Sequence, residues 1–484
     1  MSLLGILNRW FLLYGLPGLR RVPFVRELPL VRGHFRICRL DFPASDRARF
    51  RDAVNEKTAA FLGPNHPEFG LDWMMDKEIS TLFAPRMASW AAHGIVASAP
   101  WFWTKNNLVA NNGGEAAKNY SVAWALRGHG VLLHPEGSVH WTADRIHRLF
   151  HGIADMAIEA ARCVRANGSG RAVFIVPIVW KYRYTRDVSA SIHRELATIE
   201  RGLSLECNDG LGVAERFYAL QANILAGQMR RFDFELVSDP NSFLGSDTNF
   251  FLRQDAFRMH LVDDLASRYP IKPSDSIDRT IARLKRAITQ ARADAGADRA
   301  AAFTHDLAKI DEASRLGGFI RDVYGTPLLT QEQIFESLKR LRSTLLNRGL
   351  INALHNYLPT PYGPRVAHVR VPEPIVIDPA RACGDEAERA TYVDELIEQT
   401  RERMQRTLDA INREIAAEVD SLSHANPFVE RQESQRRDDE SSASKPCRMD
   451  SGTRNADPCR IPRGVLSESE KDSQCSKSRV RTAP

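Results

Sequence analysis

Between about residues 45 and 185, short apolar runs alternate with stretches of helical period, and that alternation leaves few folds open. Thr58 to Leu62, Val131 to Leu133 and Val173 to Val179 each read as a strand, the last rich in β-branched residues. Strands separated by helical patterns predict an α/β domain with a mixed sheet flanked by helices. At 484 residues and 43% hydrophobic, the chain can bury a large core and on size alone would hold two or three domains.

From about 190 to 360 the pattern turns helical. Ile277, Ile281, Leu284 and Ile288 fall on one stripe, as do Ile334, Leu338, Leu341 and Leu345. Thr330, with Gln333 three residues on, reads as a capping box for the second helix. Val366, His368 and Arg370 then lead through Pro372 and Pro374 into Ile375 to Ile377, a strand signal whose prolines favour an edge or a bulge. A long helix is predicted from about Glu386 to Glu418, with Val393, Ile397, Thr400, Met404, Leu408, Ile411 and Ile415 on its buried stripe. Beyond about 424 the chain is Ser-, Arg- and Asp-rich, and disorder is expected there. There is no internal repeat.

The seven cysteines are scattered and lack C-x-x-C pairing, so reduced thiols in a cytosolic compartment are expected, without a zinc ribbon or disulfide framework. A net charge of +6 from 66 basic and 60 acidic residues supports a nucleic-acid partner only weakly; none is expected, and an anionic membrane fits as well. The N-terminal run Leu3 to Tyr14 is interrupted by Arg9 and followed by Gly15, Pro17 and Gly18, too short and broken to span a bilayer. It also lacks the cleavage pattern of a signal peptide. Arg20, Arg21, Arg26, Arg32, Arg36 and Arg39, interleaved with Leu, Val and Phe, suit a membrane interface; a helix packed on the domain is the compatible alternative.

Two segments carry the chemistry. Asn65-His66-Pro67-Glu68-Phe69-Gly70-Leu71-Asp72 offers a base and a carboxylate. His134-Pro135-Glu136-Gly137-Ser138 follows Val131-Leu132-Leu133 and ends that strand in a Gly-containing turn. Farther on come Phe150-His151-Gly152 and Val176-Pro177-Ile178. In order and spacing these resemble the glycerolipid acyltransferase family, whose best-known members are lysophosphatidate acyltransferases. That family carries N-H-x4-D, F-P-E-G-[TS]-R-S, a later Gly and a V-P-[IV] strand. The clear resemblance covers about residues 60 to 180, and a weaker one returns at 366 to 418.

The resemblance implies acyl transfer from acyl-CoA or acyl carrier protein to a hydroxyl of a lysophospholipid, glycerol phosphate or related lipid, with no further cofactor and no metal. His66 is then the general base and Asp72 the carboxylate that fixes its tautomer, with substrate as nucleophile and no covalent acyl-enzyme. Pro135, Glu136, Gly137 and Ser138 shape the acceptor side, Glu136 as a possible ligand for a hydroxyl or ammonium. It also implies an organisation: an N-terminal segment at 1–45, the α/β domain at 46–190, an all-α insertion at 191–361, the closing strand and helix at 362–423, and a tail at 424–484. A peripheral site on the inner face of a membrane follows.

Two departures qualify this. Five residues, not four, separate His66 from Asp72, which on a regular helix turns the carboxylate by about 100°. Pro67 and Gly70 argue for irregular backbone there, and Asp76 is a substitute carboxylate. Val139 stands where the family's phosphate-binding Arg is expected, leaving Lys118, Arg127, Arg145 or Arg148 to compensate.

Blander readings sit beside these. Asn65 to Glu68 alone would be an ordinary loop, and Glu136 alone a helix-capping acid. His134, His140, His147 and His151 form a second cluster, the last two one turn apart on a predicted helix, without the further ligands a zinc site requires. Lys105 to Asn112 reads as a surface loop. The basic residues Arg279, Arg283, Lys285 and Arg286 form a solvated face or meet anionic headgroups or an acidic carrier protein. The competing functions are a catalytically impaired homologue that binds lipid or acyl donor, and a metal-dependent hydrolase built on the His cluster.

Overall fold

A computed structural model describes residues 36–429 apart from 69–70, 73–74, 77–78, 80–86, 99, 106, 113, 138–143, 235–246, 273, 275, 296, 358–361 and 428. Its centre is an eight-stranded mixed, mostly parallel sheet. In chain order the strands are β1 (Ile37–Asp41), β2 (Thr58–Pro64), β3 (Met87–Ala91), β4 (Leu108–Ala110), β5 (Gly130–Leu132) and β6 (Ala172–Tyr184). There follow the two-residue β7 (Leu328–Leu329), then β8 (Arg365–Arg370), β9 (Ile375–Val376) and β10 (His424–Ala425). The sheet order is β1-β8-β6-β2-β5-β3-β4, with β9 also on β6, while β7 and β10 form a separate pair.

Every residue of β2 is buried, as expected of a central strand covered on both faces. Ala59 and Phe61 enter one core with Val131, Val173 and Ile175, while Ala60 and Leu62 enter the other with Leu132, Val176 and Ile178. The first core is closed by helices α4 (Gly114–Leu126) and α5 (Gly152–Asn167), which follow α1 (Ala44–Ala53), α2 (His93–Ser98) and α3 (Pro100–Lys105), and by a long C-terminal helix. The second core takes Phe50 of α1 and Leu71, Met75 and Ile79.

β6 serves two sets of neighbours. Ala172 to Ile178 pair in parallel with β2, whereas Val179 to Tyr184 pair antiparallel with β8. On that same side Phe174 and Ile175 pair with β9, so Pro177 lies between the two antiparallel ladders, where a missing N–H costs least. The proline-flanked 366–377 region thus resolves into two pieces. β8 is interior, between β1 and β6, and not the edge expected, although its register with β1 shifts between Ile37 and Arg39; β9 pairs on one side, with β6.

From Ser189 to Tyr357 the elements are α6 (Ser189–Gly202), α7 (Val213–Arg231), α8 (Asp247–Arg268), α9 (Ile277–Asp294), α10 (Thr304–Leu316), α11 (Arg321–Tyr324), α12 (Gln331–Leu341) and α13 (Gly349–Tyr357), with β7 among them. All but α13 contribute to one core, which runs from Ile192 to Leu341 and also takes Tyr184 of β6 and Val188. The capping box is formed: Gln333 N donates to Thr330 Oγ1 at 3.1 Å and Thr330 N to Gln333 Oε1 at 2.9 Å. After α14 (Pro379–Ala382), the long helix α15 runs Glu386–Asp420, and the predicted stripe from Val393 to Ile415 is buried throughout.

Four other expectations are corrected. Leu108 to Ala110 form strand β4, with Leu108 and Val109 buried, instead of a loop. His147 precedes α5 in non-helical chain and His151 caps that helix, so the two do not share a helix face. Ile37 to Asp41 belong to the sheet, not to an interfacial segment; residues 1–35 lie outside the described residues. At the other end, order continues past 424. β10 pairs with β7, and buried Asn426 donates to Thr326 O at 2.8 Å and Tyr218 Oη at 3.1 Å. Residues 430–484 lie outside the described residues. No described helix is long and apolar enough to cross a membrane.

Candidate active site

The two sequence segments meet at the C-terminal ends of parallel neighbours β2 and β5, the usual place for a ligand crevice in such sheets. Where β2 stops, Asn65 prolongs it with its side chain: Nδ2 donates to Trp180 O and Oδ1 accepts from Trp180 N, both at 2.9 Å. This fixes the chain just before His66.

His66 Nδ1 lies 2.9 Å from Asp72 Oδ2. The five-residue spacing does not prevent pairing because the two residues do not share a helix. His66 sits in the loop after β2, and Asp72 in the turn that begins at Glu68, with Asp72 N donating to Glu68 O at 2.8 Å. The Asp72 carboxylate is fully buried and crowded with donors: Glu68 N at 2.8 Å, Tyr182 Oη at 2.8 Å and Trp180 Nε1 at 3.0 Å. Burial pushes the Asp72 carboxyl well above the usual carboxylate range, opposed by the charge of His134, the Tyr182 hydroxyl and the Glu68 amide. Burial and then Asp72 itself push the Tyr182 hydroxyl well above its ordinary value, which keeps it a donor.

Asp76 partners a different histidine. His134 Nε2 lies 3.2 Å from Asp76 Oδ2, His134 Nδ1 lies 3.0 Å from Asn65 O, and the ring stacks on His66 at 4.0 Å between centroids. Trp180 meets His134 edge-on at 6.0 Å.

The turn itself is closed by Gly137 N donating to His134 O at 3.0 Å and by Phe150 N donating to Pro135 O at 2.7 Å. Gly137 has φ of +73°, and a Cβ there would come within 2.6 Å of the Phe150 ring. The left-handed backbone favours glycine there, while the exposed Phe150 ring would have to move to admit a side chain. Glu136 is buried and commits both carboxylate oxygens to main-chain amides, Oε1 to His66 N at 2.8 Å and Oε2 to His147 N at 3.1 Å. Burial raises its pKa to about 7, against the pull of the two amides and of His134. Glu136 therefore ties its own turn to the backbone at His66 and to the chain that precedes α5. Ser138, Val139 and His140 lie outside the described residues.

Sequence reasoning missed a buried charge cluster behind His66. Glu68 Oε2 accepts from Arg365 Nη1 of β8 at 2.7 Å and lies 3.2 Å from Lys339 Nζ of α12. Burial opposes the Glu68 charge, but Arg365 and Lys339 outweigh it and hold the carboxyl at about 2. No spacing rule links Glu68 to residues so far along the chain; the only sequence signal was an Arg and a Lys at otherwise apolar positions. Trp180 and Tyr182 were equally hidden, since period-two alternation marks them only as core. Among the cations considered for the missing Arg, Lys118 pairs with Glu115 at 3.3 Å and Arg145 with Asp322 at 4.0 Å. Arg148 is pushed below its ordinary range by burial and by the charges of Arg279 and Arg283.

Among the described residues no group of three or more His, Cys, Asp or Glu is placed to hold a metal ion. His134 and His151 have carboxylate partners, Asp76 and Asp394 respectively. Compared with known proteins, the sequence matches no protein-family model and no curated protein.

Proposed function

We propose that the chain is an O-acyltransferase that moves a fatty acyl group from a CoA or carrier-protein thioester to a hydroxyl of a lysophospholipid, glycerol phosphate or related lipid. One observation carries this reading: the His66–Asp72 pair at 2.9 Å, set beside the His134 to Gly137 turn at the ends of two parallel strands. With Nδ1–H committed to Asp72, the lone pair of neutral His66 is on Nε2, the position of a general base.

In the proposed reaction the acceptor hydroxyl attacks the thioester carbonyl as its proton passes to His66 Nε2. The tetrahedral intermediate collapses by breaking the C–S bond, and the thiolate leaves with the proton returned by His66. Asp72 stabilises the imidazolium between these steps. Pro135 and Gly137 border the acceptor side, while Glu136 acts by holding the His66 and His147 amides. No protein nucleophile takes part.

On this reading residues 191–361 are a helical insertion between the strands of an acyltransferase-like domain, and its Lys339 supports the catalytic loop. A peripheral position on the inner face of a membrane suits the lipid acceptor, with the Arg-rich N-terminal segment as contact. The test is purified full-length protein with labelled acyl-CoA or acyl carrier protein and a panel of lysolipids and glycerol phosphate. Transfer abolished by His66→Ala and indifferent to chelator is expected. Binding of donor without turnover would replace this reading with a lipid- or donor-binding homologue.

A further inference from the structure

Both ring nitrogens of His134 face atoms that act as acceptors, the main-chain oxygen of Asn65 at 3.0 Å and the Asp76 carboxylate at 3.2 Å. A neutral imidazole can donate from one nitrogen only, so satisfying both contacts requires the doubly protonated ring. That ring is stacked nearly parallel on His66, with 4.0 Å between centroids and 19° between planes.

We propose that His134 is a fixed imidazolium that keeps His66 in its neutral, proton-accepting form. His134 is a positioning residue: both of its N–H groups are committed to the protein, and it acts on His66 through charge and ring stacking. A second proton on His66 would have to bind against a positive charge one stacking distance away, and like charges that close disfavour one another's charged forms. The surrounding charges sort accordingly. Asp76 sits on His134, Asp72 on His66, Glu136 under the His66 amide, and Glu68 is drawn away by Arg365 and Lys339. Burial works against a charge on His134, but Asp76, Asp72 and the Asn65 carbonyl outweigh it and push the ring up to about 9.

The inference rests on the acyltransfer reading only for its consequence. If His66 is the base, the same repulsion that keeps it neutral makes its transient imidazolium a strong acid, ready to return the proton to the departing thiolate.

The experiment needs no substrate. In full-length protein labelled with 15N-histidine, His134 is expected to show two protonated nitrogens throughout pH 5 to 8, and His66 a single protonated Nδ1. In His134→Gln the His66 midpoint should rise by about one pH unit or more. A His134 that titrates as an ordinary histidine in the wild-type protein overturns the proposal, as does an unchanged His66 midpoint in folded His134→Gln. Should that variant not fold, Asp76→Asn serves: His134 must then begin to lose its proton within the measured range, and failure to do so counts against the proposal. Absence of acyl transfer with these titrations intact would overturn the enzymatic reading alone.

Discussion

Arg365 Nη1 reaches the carboxylate of Glu68 at 2.7 Å across 297 residues of chain, and Lys339 approaches the same oxygen from a different element. The interior strand β8 and helix α12 thereby hold the loop that carries His66. Glu68→Gln would leave two buried cations without their anion, and a loss of about 3–5 kcal/mol of stability is expected by urea denaturation. Lys339→Met should cost less, because Arg365 still pairs with Glu68. The double variant should lose less than the sum of the two. Because the Glu68 pKa is depressed to about 2 from 4.5, its contribution is present above pH 4.5 and is lost as pH falls toward 2. A Glu68→Gln protein within 1 kcal/mol of the parent would contradict this role.

Asp72→Asn keeps the shape of the side chain but replaces one acceptor oxygen with an amide donor, which disturbs the hydrogen bond that orients His66. A drop in transfer rate of about 10³- to 10⁴-fold is expected, with the circular dichroism spectrum unchanged. His66→Ala should be at least as severe. Full activity in either variant would remove the pair from the mechanism.

The pH dependence of stability carries a separate sign. His134 has its pKa raised in the folded state, to about 9 from 6.5, so it stabilises the fold fully below pH 6.5. That contribution, on the order of 3 kcal/mol, should fade as pH rises from 6.5 to 9. His134→Gln should flatten the denaturation midpoint over that window. A parent protein whose stability does not fall there, relative to the variant, would show that the ring is not charged.

Gly137→Ala tests the turn. The methyl group meets the Phe150 ring, which is exposed and can move, but the left-handed backbone at φ +73° cannot be relieved in that way. A destabilisation of about 1–2 kcal/mol is expected from the backbone alone. Adding Phe150→Ala should recover only the steric part. Complete recovery in the double variant would mean that the backbone at 137 carries no strain.

Some of this was legible in the sequence, because burial imprints a period on it. The runs at 58–62, 131–133 and 173–179 became β2, β5 and β6, the stripe from Val393 to Ile415 became the buried face of α15, and the Thr330 capping box formed as read. His66, Asp72 and the turn at 134–137 were singled out from local spacing, and the structure brings them to one end of the sheet. The longer spacing from His66 to Asp72 leaves the pairing intact, in keeping with the irregular backbone that Pro67 and Gly70 imply, because a helical rotation applies only when both residues share a helix. Periodicity also says which face of an element is buried but not which element lies against it. The interior position of β8, the stacking of His134 on His66, and the meeting of Glu68 with Lys339 and Arg365 were therefore decided by topology. Their energetics come from excluding water around charges that are distant in sequence, and only the folded chain brings those charges together.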